Sequence, residues 1–195
     1  MNEWEKGFNI VNQYLHESGI LKDCKQIIYS INGDYSEFIK KYNENNLMLS
    51  SENVDKYEFP TINILYNESL LKNQKVLYIH TKGASSGINK PIEDWIHVMS
   101  YFNITEYKKC LELLDEYDAV GVDYHVNPFK HFSGNFWWSK SSHIRGLREL
   151  SVPGDERHAA ERWICSIDGK YKSLHDTNID VYQRHLHEYP SQKYR

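Results

Sequence analysis

Short apolar runs rich in β-formers alternate with segments whose apolar residues recur at helical spacing, and this alternation constrains the fold more than any other feature. Trp4, Phe8, Val11, Tyr14 and Leu15 put an amphipathic helix over Glu3–Ser18, with Gly19 as its C-cap. Gln26–Asn32 (QIIYSIN) reads as a strand closed by Gly33-Asp34, and Asp34–Asn46 as a helix. Asn53–Phe59 reads as a second strand, and Pro60 opens a helix carrying Ile62, Leu65, Tyr66 and Leu70. Lys75–His80 (KVLYIH) is the clearest strand. Helices over Pro91–Tyr101 and Glu106–Glu116 follow, then strands over Ala119–Asp123 and Phe132–Trp138. Helices over Ser141–Leu150 and His158–Ile164 come next, and from Tyr171 the chain is a polar tail rich in His and Tyr. Strands separated by helices predict an α/β fold with a mostly parallel central sheet flanked by helices. No internal repeat, low-complexity tract or linker interrupts it, so residues 1–195 read as a single domain.

In such a sheet, ligands gather at the carboxyl ends of the strands. That places the chemistry after Asn32, after His80 and after Asp123. Composition narrows the choice of ligand. The formal net charge is −4, whereas a phosphate backbone rewards a cationic surface, so a general nucleic-acid binder is excluded. Cys24, Cys110 and Cys165 contain no CxxC pair, which excludes a zinc knuckle or a thioredoxin-like site. No apolar run approaches the roughly 20 residues that span a bilayer. The opening MNEWEKGFNIVNQYL lacks the basic and apolar regions of a signal peptide. The reading is a cytoplasmic chain with no transmembrane segment, at most peripheral to a membrane.

Particular residues then carry candidate chemistry. His80-Thr81-Lys82-Gly83, just past the clearest strand, offers an ammonium and exposed N–H groups to a phosphate, although GxxxxGK[ST] is absent. Asp123-Tyr124-His125 can share a divalent cation or hold a sugar hydroxyl, or turn the chain with no ligand at all, and for metal the plain turn ranks first. In His131–Trp138 three consecutive aromatics cannot share one face of a strand. One of Trp137 and Trp138 is therefore expected in the core and the other beside an open cleft. Glu161 lies four residues after Arg157, the spacing of a surface ion pair, and is also a candidate general base. The tail histidines His175, His185 and His187 match no zincin spacing.

The segments VLYIHTKG, EDWIHVMSYF, DAVGVDYH, HFSGNFWWSKSSHI and ERHAAERWI, in this order, resemble a family of small glycosyltransferase-like proteins with a GT-A, Rossmann-like fold. Such proteins occur in bacterial polysaccharide clusters and large DNA viruses. The resemblance runs from about Trp4 to about Ile164. It implies transfer of a hexosyl or deoxyhexosyl group from a nucleotide-diphosphate sugar to a hydroxyl of a glycan or lipid-linked glycan, with inversion. It implies donor binding by His80, Thr81, Lys82, Asp123 and Arg157. Acceptor binding falls to Trp95, Ser133, Gly134, Asn135, Trp137 and Trp138, and Glu161 becomes the catalytic base. The acidic DxD that usually holds a Mn or Mg diphosphate complex is replaced by His80-Thr81-Lys82, so Lys82 is expected to neutralise the diphosphate without metal. The family fold begins with a strand that holds the nucleotide base, and this chain opens on the helix, so that first strand is expected to be missing. A retaining transferase is the rival within enzymology, and the alternative from another class is a non-catalytic nucleotide-sugar or carbohydrate-binding module. A hydrolase with Asp94 and Glu161 as a carboxylate pair ranks below both.

Overall fold

The computed structural model describes residues 3–34, 36–42, 47–51, 57–83, 87–150 and 158–179, together with Leu186 and Tyr194. The chain opens on helix α1 (Glu3–Glu17), which turns Val11 and Tyr14 inward. Gly19 follows in the left-handed conformation (φ 79°) that ends such a helix at no steric cost, and the short α2 (Ile20–Asp23) comes next. Strand β1 (Tyr29–Asn32), helix α3 (Ser36–Tyr42) and strand β2 (Leu47–Ser51) form a unit in which β1 and β2 pair in parallel. Residues 53–56 of the strand expected over Asn53–Phe59 lie outside the described residues. Tyr57 and Glu58 form a turn instead, and Phe59 already opens α4 (Phe59–Leu71), with Pro60 in the first helical turn.

Strand β3 (Lys75–Tyr78) leads to α5 (Lys90–Ser100), which starts where the Asn89 side chain accepts the Ile92 N–H at 3.0 Å. A π-helical turn (Tyr101–Thr105) and α6 (Tyr107–Leu113) bring the chain to β4 (Ala119–Gly121). The hairpin of β5 (Tyr124–His125) and β6 (His131–Phe132) and the strand β7 (Trp137–Lys140) follow. Next come α7 (Ser141–Ile144), α8 (Ala159–Arg162), a 3₁₀ turn (Trp163–Cys165) and β8 (Tyr171–Ser173).

The main sheet has the order β3-β7-β4-β8. Strand β7 is antiparallel to both β3 and β4, and only β4 and β8 pair in parallel. This corrects the expectation of a mostly parallel sheet. A parallel neighbour needs a crossover of about a dozen residues or more, usually a helix. Between β4 and β7 the chain makes only a hairpin and a tight turn, and it returns in the opposite direction. The segment read as one strand over Phe132–Trp138 is therefore split by that turn into β6 and β7. The tail read as polar and irregular contributes β8.

Helices cover both faces. On one, α1, α5 and α6 pack with Val120, Phe136 and Trp138. On the other, Phe59 and Ile62 of α4, Ile144 of α7 and Trp163 pack with Tyr78, Ala119, Phe132 and Trp137. Adjacent residues of β7 thus feed opposite cores, as strand alternation requires. Both indoles are buried, Trp137 to 1% exposure and Trp138 to 6%, so the expectation that one of them lines an open cleft is corrected. Each indole N–H finds an acceptor: Trp137 donates to Asn135 Oδ1 at 2.8 Å and Trp138 to the Asn103 carbonyl at 2.7 Å. Among the described residues no helix is long and apolar enough to cross a membrane.

Candidate functional site

The reversal that makes β7 antiparallel also builds the site. Gly134 (φ 79°) and Asn135 (φ 59°) both take left-handed backbone between β6 and β7. Gly134 has a second reason to lack a side chain, since a Cβ there would lie 2.3 Å from Met99 Sδ and 2.6 Å from Trp95 Nε1. Asn is the residue other than Gly that tolerates this conformation best, and its amide is fully employed. Oδ1 accepts from Trp137, so Nδ2 is the donor, reaching Glu58 Oε2 at 2.7 Å and the Ala160 carbonyl at 3.4 Å.

Glu58 stands at the N-terminus of α4, but its side chain does not cap the helix. It turns to the end of β3 instead. Tyr78 donates to the same Oε2 at 2.7 Å, while Oε1 lies 3.8 Å from His80 Nδ1. Burial raises the Glu58 carboxyl, but His80, the hydrogen bonds from Tyr78 and Asn135, and the Lys82 charge outweigh it. The carboxyl lies below its ordinary value and is ionised at neutral pH. Burial first, and then the Glu58 charge, push the Tyr78 hydroxyl well above its ordinary value, so Tyr78 is a neutral donor.

His80 Nε2 lies 3.0 Å from the Gly134 carbonyl. A carbonyl only accepts, so Nε2 carries the proton, and in the neutral ring Nδ1 presents a lone pair. The ring stacks on Tyr78 (6.2 Å between centroids), which stacks on Trp137 (5.0 Å). The β3–β7 register explains this, because Tyr78 stands opposite Trp137. The two side chains at the mouth of the cluster stay partly open, Glu58 at 24% and His80 at 18%. Lys82 follows on the same loop and has no ion-pair partner among the described residues. Helix α1 passes beneath it, with Gly7 against the Lys82 carbonyl.

The structure thus brings His80, Gly134, Asn135 and Trp137 into one cluster, with Lys82 within electrostatic reach and Trp95 buried beneath Gly134. Thr81 is half-buried beside His80. Ser133 is buried in the same turn and donates its N–H to the Asp123 carbonyl at 3.1 Å. Trp138 faces the opposite core. Asp123 is 2% exposed, and its carboxylate takes the Thr177 N–H at 2.5 Å and the Thr177 hydroxyl at 2.7 Å. Glu161 is partly exposed beside His158 Nδ1 at 3.6 Å. Arg157, its expected partner, lies outside the described residues, as do Ser85, Ser86, His185 and His187. Asp94 is buried and pairs with Lys90 one helical turn before it.

The residues here do not form a cage for Mn²⁺ or Mg²⁺. Glu58 is the one carboxylate in the described cluster, and its Oε2 is taken by Tyr78 and Asn135, whereas such ions take about six hard oxygen ligands. Among the described residues no group of three or more His, Cys, Asp or Glu is arranged to hold a metal. Two surface concavities lie elsewhere. One is lined by Gln74, Lys75, Lys140 and Ser141, the other by Phe129, Lys130, Arg162 and Asp168.

Sequence reasoning missed Glu58 and Tyr78. Tyr78 was hidden as one more aromatic in a strand. Glu58 was assigned to a strand end, although an acidic residue two before Pro60 marks a helix start. Its use as a site residue rests on contacts across the fold, which local sequence does not display.

The matching family model is described as a domain of unknown function (DUF8361) and covers residues 2–152. The chain belongs to that family. No curated protein and no solved structure matches it. The matched span takes in Glu58, His80, Lys82 and Ser133–Asn135, and ends before Glu161.

Proposed function

We propose that this DUF8361 member is a glycosyltransferase that moves a sugar from a nucleotide-diphosphate donor to a hydroxyl of a growing glycan, with inversion. One observation carries the reading. The two segments that most specifically resemble glycosyltransferase-like proteins, IHTKG and HFSGNFWW, meet at the His80–Gly134 hydrogen bond across a separation of 54 residues. They meet where the carboxyl end of β3 lies beside the start of its antiparallel neighbour β7. In this reading Lys82 takes the diphosphate, as a cation with no competing carboxylate among the described residues at hydrogen-bonding distance. The Ser133–Asn135 turn, with Gly134 half-buried between two buried residues, shapes the floor on which the sugar rests.

A panel of nucleotide-diphosphate sugars tests the proposal, by thermal shift and by release of nucleotide diphosphate. A donor at 100 times its Kd stabilises the fold by about 2.7 kcal/mol. Lys82→Ala is expected to weaken binding of that donor by about 1.5–3 kcal/mol, the range for charge-assisted contacts, and calorimetry reads the loss. Unchanged affinity would remove Lys82 from the donor site. A second reading, a sugar- or nucleotide-sugar-binding module without turnover, draws on two observations. All three tryptophans expected to meet the acceptor, Trp95, Trp137 and Trp138, are buried, and Asp123 is already engaged by Thr177. Donor binding with neither transfer nor slow hydrolysis would decide for the module.

A further inference from the structure

The mouth of the cluster holds two acceptor atoms that receive no hydrogen bond from a described residue. Glu58 Oε2 has two donors, whereas Oε1 accepts no hydrogen bond from a described residue. Its neighbour His80 Nδ1, at 3.8 Å, is beyond hydrogen-bonding distance. On His80 the Nε2 proton is fixed on the Gly134 carbonyl, so the ring cannot turn Nδ1 away without losing that bond. Both side chains are held from behind: Glu58 by Tyr78 and Asn135, His80 by stacking on Tyr78 and an edge contact with Phe136. Two hydroxyl groups, each with its oxygen about 2.8 Å from one of these atoms, can donate side by side across the 3.8 Å gap.

We infer that His80 Nδ1 is the general base of this site, receiving the proton of the acceptor hydroxyl, and that Glu58 is its positioning residue, holding the imidazolium as it forms. This rests on the transferase reading above. The step balances. The acceptor O–H bond breaks and its proton goes to His80 Nδ1. The oxygen pair forms the new bond to the anomeric carbon, while the bond from that carbon to the diphosphate oxygen breaks and its pair leaves with the nucleotide diphosphate. The positive charge on His80 then lies between the Glu58 carboxylate and the Gly134 carbonyl. Lys82, two residues further on, faces the charge that develops on the leaving group. A vicinal pair of hydroxyls satisfies the two acceptors together, one on Nδ1 and one on Glu58 Oε1, so the acceptor class is a sugar ring with adjacent hydroxyls. Glu161, paired with His158, is then not required as the base.

The experiment compares wild type, His80→Gln, His80→Ala and Glu161→Gln with the donor identified by the panel, following nucleotide diphosphate release against pH. His80→Gln keeps an N–H donor for the Gly134 carbonyl and removes the basic lone pair. Its rate is expected to fall by about 10²–10⁴-fold with donor affinity retained, and the rise of rate with pH that tracks a histidine is expected to vanish. Added imidazole is expected to restore part of the rate of His80→Ala, which a merely structural role would not allow. Glu161→Gln is expected to stay within about threefold of wild type. Near-normal turnover in His80→Gln, or collapse in Glu161→Gln with His80→Gln active, overturns the assignment and leaves the transferase reading standing. No turnover with any donor overturns both.

Discussion

The carboxyl ends of β3 and β4 carry the same signal in sequence, a polar residue just past a short apolar strand, and the fold treats them in opposite ways. At the end of β4, Asp123 is buried, takes a left-handed backbone (φ 47°), and gives its carboxylate to the N–H and hydroxyl of Thr177. Its own N–H donates to the His175 carbonyl at 2.9 Å. At the end of β3, His80 meets a carboxylate and a carbonyl, and the cluster keeps two acceptor atoms at a half-open mouth. The difference lies in what returns to each strand end. β8 runs parallel to β4 and delivers the segment after it onto Asp123. Strand β7 runs antiparallel to β3, so its start, the Gly134–Asn135 turn, arrives beside His80 and leaves an opening. A polar strand end becomes a staple or a site according to the direction of its neighbour.

The largest expected effect tests whether β7 really holds the β3 end together. Trp137→Ala removes a fully buried indole that stacks on Tyr78 and satisfies Asn135. It should lower the unfolding free energy by about 3–5 kcal/mol in urea denaturation, as large core truncations do. Trp138→Ala should cost a similar amount from the opposite core, and leave the Glu58–His80 cluster unchanged in any property that can be read at neutral pH. A loss below about 1 kcal/mol in either variant would mean that the indole is not the core element described.

Next in size is the β4 end. Asp123→Ala deletes the carboxylate and orphans the Thr177 donors. Hydrogen bonds to charged groups contribute roughly 1.5–3 kcal/mol, and a loss in that range is expected. Thr177→Val removes only the hydroxyl and should cost about 1 kcal/mol. Neither should change the affinity of a donor bound at Lys82. Weakened donor binding with unchanged stability would turn the contrast around and make Asp123 a ligand-binding residue.

How far the sequence discloses this contrast follows from the range of the interactions. Helical spacing locates α1, α5 and α6, and the apolar runs locate β3 and β4, because those signals are local. His80, Lys82 and Ser133–Asn135 are visible as unusual polar and small residues beside strands. The direction of β7 is not visible, since it depends on a two-residue left-handed turn inside what reads as one aromatic strand. The Asp123–Thr177 contact spans 54 residues into a segment that reads as tail. Glu58 is masked for the same reason: its partners Tyr78 and Asn135 are 20 and 77 residues away.

The smallest effect concerns the charge at the β3 end. The Glu58 carboxyl titrates below its ordinary value of about 4.5, because His80, the Tyr78 and Asn135 hydrogen bonds and Lys82 together outweigh its burial. A carboxyl depressed on folding binds fewer protons in the native state than in the unfolded one. Its contribution is therefore fully present above the unfolded pKa and is lost as pH falls through the lower native value. Wild-type stability should thus decline on acidification below about pH 4.5, in part through Glu58. Asp118 shares that decline: burial raises its carboxyl, but the Lys170 N–H and the Lys140 ammonium leave it depressed as well. The informative quantity is consequently the difference between wild type and Glu58→Gln, which removes one titrating group and keeps its size. The variant is expected to be less stable at pH 7, and the gap should narrow steadily as pH falls from 4.5, measured by urea midpoints at each pH. A gap that stays constant with pH would show that Glu58 is held no more strongly as an anion in the fold than in the unfolded chain, and the β3 end would lose the fixed charge that sets it apart from the β4 end.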